Sequence, residues 1–93
     1  MMKLKPGFVV REVAGKTLAV AVGELSRDFH GMIALNGTGR VIWSALNEDT
    51  TEDAIVDRVL DEYEIDRETA ARDVAAFIAN LRAQGLILDS ENA

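Results

Sequence analysis

The spacing of apolar residues changes near residue 36, and this limits the fold more than any other feature of the chain. Before that point the apolar residues fall in short runs with a two-residue repeat. After it they recur at intervals of three and four. A repeat of two places alternate side chains on opposite faces of a strand, whereas a repeat near 3.6 gathers them on one stripe of a helix. The chain therefore reads as strands followed by helices, an α+β arrangement.

Phe8-Val9-Val10-Arg11-Glu12-Val13 predicts a strand over 8–13. Ala14-Gly15-Lys16 supplies a turn, with a glycine able to take positive φ. A second strand over 17–22 alternates Leu18, Val20 and Val22 with Thr17, Ala19 and Ala21. Its small side implies either that something packs close there or that this face is lightly covered. Residues 23–31 form a polar connection, and Gly31-Met32-Ile33-Ala34-Leu35 is a third strand, 31–35. A three-stranded antiparallel sheet this small needs a packing partner to be stable.

Three helices supply it. The first, over 38–47, is capped by Asn36 or Thr38 and carries Val41, Ile42, Ala45 and Leu46 on one face. The second, over 51–63, starts at Thr50 or Thr51; Thr50 with Asp53 resembles a capping box. Ile55, Val56, Val59, Leu60 and Tyr63 form its stripe. Asp66 caps the third, over 67–84, whose stripe is Ala70, Val74, Phe77, Ile78 and Leu81 and which Gly85 ends. Leu86-Ile87-Leu88 is expected to pack back, and Asp89–Ala93 to fray. The predicted fold is winged helix-turn-helix-like: a three-stranded antiparallel sheet followed by three helices, in a single domain over 1–93.

Composition excludes several classes. There is no cysteine, hence no disulfide framework, no thiol nucleophile and no cysteine-held zinc. No apolar run reaches the roughly 18 residues of a membrane span, and residues 1–7 lack the core of a signal peptide. A cytoplasmic protein is expected. The net charge of −6 is unevenly spread: residues 1–47 hold six basic and three acidic residues, and residues 48–93 hold four and thirteen. A solvated acidic helical face explains such a run, and so does a sign-polarised surface that selects a partner.

No catalytic group emerges. His30, the single histidine, has no nucleophile or acid that the sequence places beside it. The carboxylates from Glu48 to Asp66 follow no calcium-loop spacing, and Asn36-Gly37-Thr38-Gly39 lacks both the dinucleotide fingerprint and the P-loop lysine. No enzyme activity, cofactor or metal is expected. An acyl-carrier role is disfavoured, because Ser90 and Ser44 stand in the wrong contexts and the first third is strand-rich. A winged helix commonly reads DNA, but the second helix carries Glu52, Asp53, Asp57, Asp61 and Glu62 against Arg58 alone. Phosphates attract the opposite charge, so nucleic acid is not an expected partner.

The segment Gly31-Met32-Ile33-Ala34-Leu35-Asn36-Gly37-Thr38-Gly39-Arg40-Val41-Ile42-Trp43 resembles the PqqD family, whose signature is an apolar strand, Leu-Asn-x-Thr/Ser-Gly, and a helix with Ile-Trp. Thr50-Thr51-Glu52-Asp53-Ala54-Ile55-Val56 with Tyr63-Glu64-Ile65-Asp66 is similar to its T-x-x-E-I…Y-x-V-D stretch. Asp73-Val74-Ala75-Ala76-Phe77-Ile78-Ala79-Asn80-Leu81 with Gly85-Leu86-Ile87 is similar to its D-V-x-x-F-I/L-x-x-L…G-L-I end. The likeness spans about residues 5–88, and the long connection over 23–31 departs from it.

The resemblance implies a winged helix-turn-helix that binds the leader of a ribosomally made precursor peptide and presents it to a modifying enzyme. In pyrroloquinoline quinone synthesis that enzyme is a radical S-adenosylmethionine protein; relatives serve lasso-peptide and other systems. Such a leader can add as a strand to an exposed sheet edge. The expected edge is Met32, Ile33, Ala34 and Leu35, flanked by Phe29, His30 and Gly31. The family's groove wall implies Arg72, Ala76, Phe77 and Asn80 on the third helix. Each of these apolar side chains has a core role as its alternative, and Trp43 is expected in the core. The uncovered edge also leaves a homodimer open. The polarised charge predicts leaders of mixed charge, or an acidic face reserved for the partner enzyme. Two other functions stand beside the adaptor: a DNA-binding winged helix, and an interaction subunit of an enzyme complex without peptide recognition.

Overall fold

The strands of the main sheet precede the three long helices, as the periodicity requires, while one short helix interrupts the strands and one short strand follows the helices. The structure is a computed structural model that describes residues 1–28 and 31–89. Its elements are β1 (Met2–Leu4), β2 (Phe8–Val13), β3 (Lys16–Ala21), α1 (Leu25–Asp28), β4 (Met32–Leu35), α2 (Gly37–Ala45), α3 (Glu52–Glu62), α4 (Arg67–Ala83) and β5 (Ile87–Asp89). The main sheet is antiparallel, in the order β2-β3-β4, and three of the helices follow it. Phe8 lies opposite Ala21, Arg11 opposite Leu18, Leu18 opposite Ala34, and Val20 opposite Met32.

The hairpin turn is built on positive φ at both Ala14 (52°) and Gly15 (80°). This matches the right-handed twist of the two strands it joins. The small side of β3 is its inner side: Thr17 and Ala19 are buried, while Leu18 and Val20 are half-buried on the outer face. Of the two alternatives for that small face, close packing holds.

The core lies between this inner face and the helices. α2 is its centre, with Val41, Ile42, Trp43, Ala45 and Leu46 all buried. Burying Val41, Ile42 and Leu46 stabilises the fold by roughly 1.5–3 kcal/mol each relative to exposure. Trp43 is 4% exposed and meets Phe8 edge-on, ring centroids 5.0 Å apart. Ile55, Val56 and Val59 of α3 and Ala70, Val74, Ile78 and Leu81 of α4 close the other sides.

The helix ends are settled by their caps. Thr51 caps α3, its hydroxyl accepting from the Ala54 N–H at 3.2 Å. The capping box expected between Thr50 and Asp53 does not form, because Thr50 instead exchanges two backbone bonds with Met2, at 2.9 and 2.8 Å. Asp66 caps α4 by accepting from Thr69 N–H at 3.2 Å. At the other end Gly85 takes φ +74°; its N–H bonds the Arg82 carbonyl (3.0 Å) and that of Leu86 bonds Leu81 (3.0 Å). These are the paired bonds of a Schellman motif.

Further features depart from the sequence expectations. A second sheet pairs β1 with β5, with Leu4 opposite Ile87 and Met2 opposite Asp89. Arg82 reinforces it, pairing with Asp89 and pointing a guanidinium nitrogen at the Met2 sulfur, 3.6 Å away. The connection before β4 contains the short turn of helix α1, which buries Leu25 beside Gly7, just before β2. The third strand begins at Met32 rather than Gly31. Of residues 89–93, expected to fray, Asp89 is instead held in β5 opposite Met2 and paired with Arg82, and residues 90–93 lie outside the described residues.

Candidate functional site

The junction of β4 with α2 is held by a run of small and polar residues. Leu35 is buried and ends the strand. Asn36 follows in extended geometry, and its Oδ1 accepts from the Gly39 N–H at 2.7 Å and from the Thr38 hydroxyl at 3.3 Å. The chain therefore turns from strand into helix in one residue. Gly37 and Gly39 leave room for neighbours. A Cβ at 37 would stand 2.5 Å from the Tyr63 hydroxyl, and one at 39 would stand 3.2 Å from Phe77 Cε2. The Leu-Asn-Gly-Thr-Gly run is thus the joint that fixes β4 against α3 and α4.

β4 is an edge strand: within the described residues only β3 pairs with it. Beyond the joint, a groove of about 340 Å³ opens between the start of α2 and α4. Asn36, Thr38 and Ile42 line one side, and Asp73, Ala76 and Phe77 the other. The fold thus brings together a strand edge and a half-apolar groove near its end.

The sequence-predicted residues divide across this arrangement. Ala76 and Phe77 line the groove. Ile33 faces inward, half-buried, and Leu35 is buried in the core; Met32, 61% exposed, and Ala34 face outward. Gly31 is exposed just before the strand. Arg72 and Asn80 are exposed on α4 without lining the groove. Arg72 pairs with Glu68 at 3.3 Å, and the Asn80 side chain accepts from Gln84 at 3.2 Å. Phe29 and His30 lie outside the described residues. Sequence reasoning missed Asn36, Thr38, Ile42 and Asp73 as groove residues. Asp73 could have been found from its i,i+4 spacing to Phe77. The others needed the crossing of α2 over α4.

The sheet has a second edge, β2, and a second hollow of about 460 Å³ beside it. Lys3, Lys5, Phe8, Val10 and Trp43 contribute to its walls. No group of three or more His, Asp or Glu side chains gathers as a metal site among the described residues. No helix among them is long and apolar enough to cross a membrane.

Comparison with known proteins decides the family. Residues 25–87, which run from α1 to the start of β5 and include the joint and both walls of the groove, match the family described as Coenzyme PQQ synthesis protein D (PqqD). The chain belongs to the PqqD family. No curated protein sequence matches it. Two solved structures share the fold. One, described as "TbiB1 in Complex with the TbiA(beta) Leader Peptide", superposes with a TM-score of 0.70 at 24% identity, covering 97% of this chain and 99% of that one. The other, "Lasso peptide synthetase B1 complexed with the leader peptide", gives 0.69 at 24% identity, covering 95% and 98%. Both superpositions extend over nearly the whole chain, beyond the residues 25–87 that the family model matches.

Proposed function

We propose that this chain is a non-catalytic adaptor, which captures the leader of a ribosomally made precursor peptide and presents it to a modifying enzyme. The observation that carries this function is the free edge of β4 beside the Asn36–Phe77 groove. An added strand would take affinity from main-chain hydrogen bonds, and its inward side chains would take register from the groove. The backbone of Met32, Ile33, Ala34 and Leu35 forms the edge, with Gly31 just before it. Ala76 and Phe77 form the wall; Arg72 and Asn80 lie exposed on α4 outside the groove, where a longer peptide would reach them.

Family membership supports this function, as do the two similar structures, both described as complexes with leader peptides. The partner suggested by the family is a radical S-adenosylmethionine enzyme; the second structure's description suggests a lasso-peptide system instead. The meeting takes place in the cytoplasm, where a ribosomal product is first available. Duplex DNA is not the partner, because Glu52, Asp53, Asp57, Asp61 and Glu62 stand exposed on or beside α3.

The test is a titration of isotopically labelled protein with the precursor peptide encoded beside it. Amide shifts should concentrate in residues 31–38 and 72–80. Binding with those amides unmoved places the site elsewhere. Failure to bind any neighbouring peptide removes the adaptor function.

A further inference from the structure

The large apolar side chains exposed to solvent are unevenly placed. Among the described residues they are Met1, Val9, Val10, Val13, Val22, Met32 and Leu88, and none lies on α2, α3 or α4. Three of them share the outward face of the main sheet. The register sets Val9, Val20 and Met32 in one row across β2, β3 and β4, and Arg11, Leu18 and Ala34 in the next row on that face. Val13 and Lys16 complete it. None of these residues belongs to the hydrophobic core.

The charge of this face is of one sign. The charged residues of β2, β3 and β4 are Arg11, Glu12 and Lys16. Glu12 alternates to the inner side, so of the strands' charged residues Arg11 and Lys16 border the apolar rows. An apolar patch bordered by cations fits a protein surface that is apolar and bordered by carboxylates.

A second copy of this chain is a poor occupant. Face-to-face pairing about a two-fold axis would set two cationic borders against each other. The area is also small. Three strands about 4.8 Å apart, with five residues each at about 3.3 Å, cover roughly 200 Å². A standard interface takes about 800 Å² from each partner. The face suits a transient contact that is enlarged by something beside it.

We infer that this outward sheet face is where the modifying enzyme docks, through an apolar surface bordered by acidic residues. The inference rests on the adaptor function above. A leader strand added to β4 would continue the rows past Met32 and Ala34 with its own outward side chains, so the loaded adaptor presents a wider face than the empty one. Peptide and enzyme therefore bind with positive coupling, each raising the affinity of the other by the same factor.

The experiment uses the purified modifying enzyme encoded beside the precursor gene, immobilised, with the full-length adaptor flowed over it with and without saturating precursor peptide. The wild-type adaptor should bind more tightly when loaded. The variants Val9→Glu and Arg11→Glu/Lys16→Glu change exposed side chains away from β4. Each should weaken enzyme binding by about tenfold, while peptide affinity stays within about twofold and the circular dichroism spectrum is unchanged. Equal enzyme binding by both variants, or no enzyme binding by the wild type, overturns the docking face while leaving peptide capture intact. Lost peptide binding in the wild type overturns the adaptor function itself. Variants that change the oligomeric state of the free protein, rather than its enzyme binding, assign the face to a second copy and overturn the inference.

Discussion

The Phe77 ring lies against Gly39, so closely that a Cβ at position 39 would stand 3.2 Å from Phe77 Cε2 and 2.9 Å from the capping oxygen of Asn36. One missing methyl group therefore serves both the α2–α4 crossing and the cap that ends β4.

Gly39→Ala tests this relationship by its sign. Alanine in a helix interior ordinarily gains about 1 kcal/mol over glycine. Here the added methyl must push Phe77 or loosen the Asn36 cap. A net loss of about 1 kcal/mol is expected in urea unfolding, together with weaker peptide binding, because both displaced groups line the groove. A gain in stability would show that the α2–α4 contact has slack.

The order of strands and helices was legible because the switch in period survives any reasonable choice of boundaries. The joint was legible as a motif, but its work was not. That Gly37 accommodates Tyr63 and Gly39 accommodates Phe77 depends on helices far apart in sequence. β1 and β5 escaped notice because three-residue strands give too few repeats; Met2 and Leu4 alternate with Lys3, and nothing more marks them. α1 was hidden because Leu25 is the one buried residue among its described side chains, in a polar stretch. The sheet face defied its composition: Ala19 points inward and Leu18 outward, because the inner face must admit the helical layer. For the site, the edge strand could be read from sequence, whereas half the groove comes from residues that only the helix crossing brings together.

The end of α4 offers a purely conformational test. Gly85 sits at φ +74°, and nothing stands within 4 Å of a Cβ built there. Gly85→Ala meets no clash, so its cost is that of holding an alanine in left-handed geometry, about 1 kcal/mol. Denaturant unfolding should show this loss. Amide exchange should also quicken at residues 86–89, whose path into β5 starts from the Schellman bonds at Gly85 and Leu86.

Asp66 gives the fold an acid-sensitive point. Its carboxylate accepts hydrogen bonds from Thr69 at the start of α4, and these hold its pKa below the ordinary carboxylate range. A lowered folded-state pKa means that the cap stabilises fully above the unfolded-state value, about 3.9. That contribution is lost as the pH falls below this value and through the folded-state one. Asp66→Asn keeps a capping oxygen but removes this titration. The variant should therefore show a shallower fall in melting temperature between pH 5 and pH 2, on the order of that window. An acid limb identical to the wild type would assign the acid sensitivity to other carboxylates.

Trp43 reports which sheet edge the peptide uses. It is the single tryptophan, 4% exposed, and it forms part of the wall of the hollow beside β2 with Phe8 and Val10. It does not line the groove between Asn36 and Phe77. Its emission should be blue-shifted in the folded protein and move to the red on unfolding. A strand added at β4 leaves its surroundings in place, so peptide titration should leave the emission maximum unchanged. A strand added at β2 would cover the hollow and alter Trp43 directly. Phe77→Ala supplies the complementary arm: it should weaken the peptide by roughly 1–2 kcal/mol, as expected for an aromatic wall residue, without moving the Trp43 emission of the free protein. A peptide that shifts Trp43 and ignores Phe77→Ala would transfer the binding site from β4 to β2.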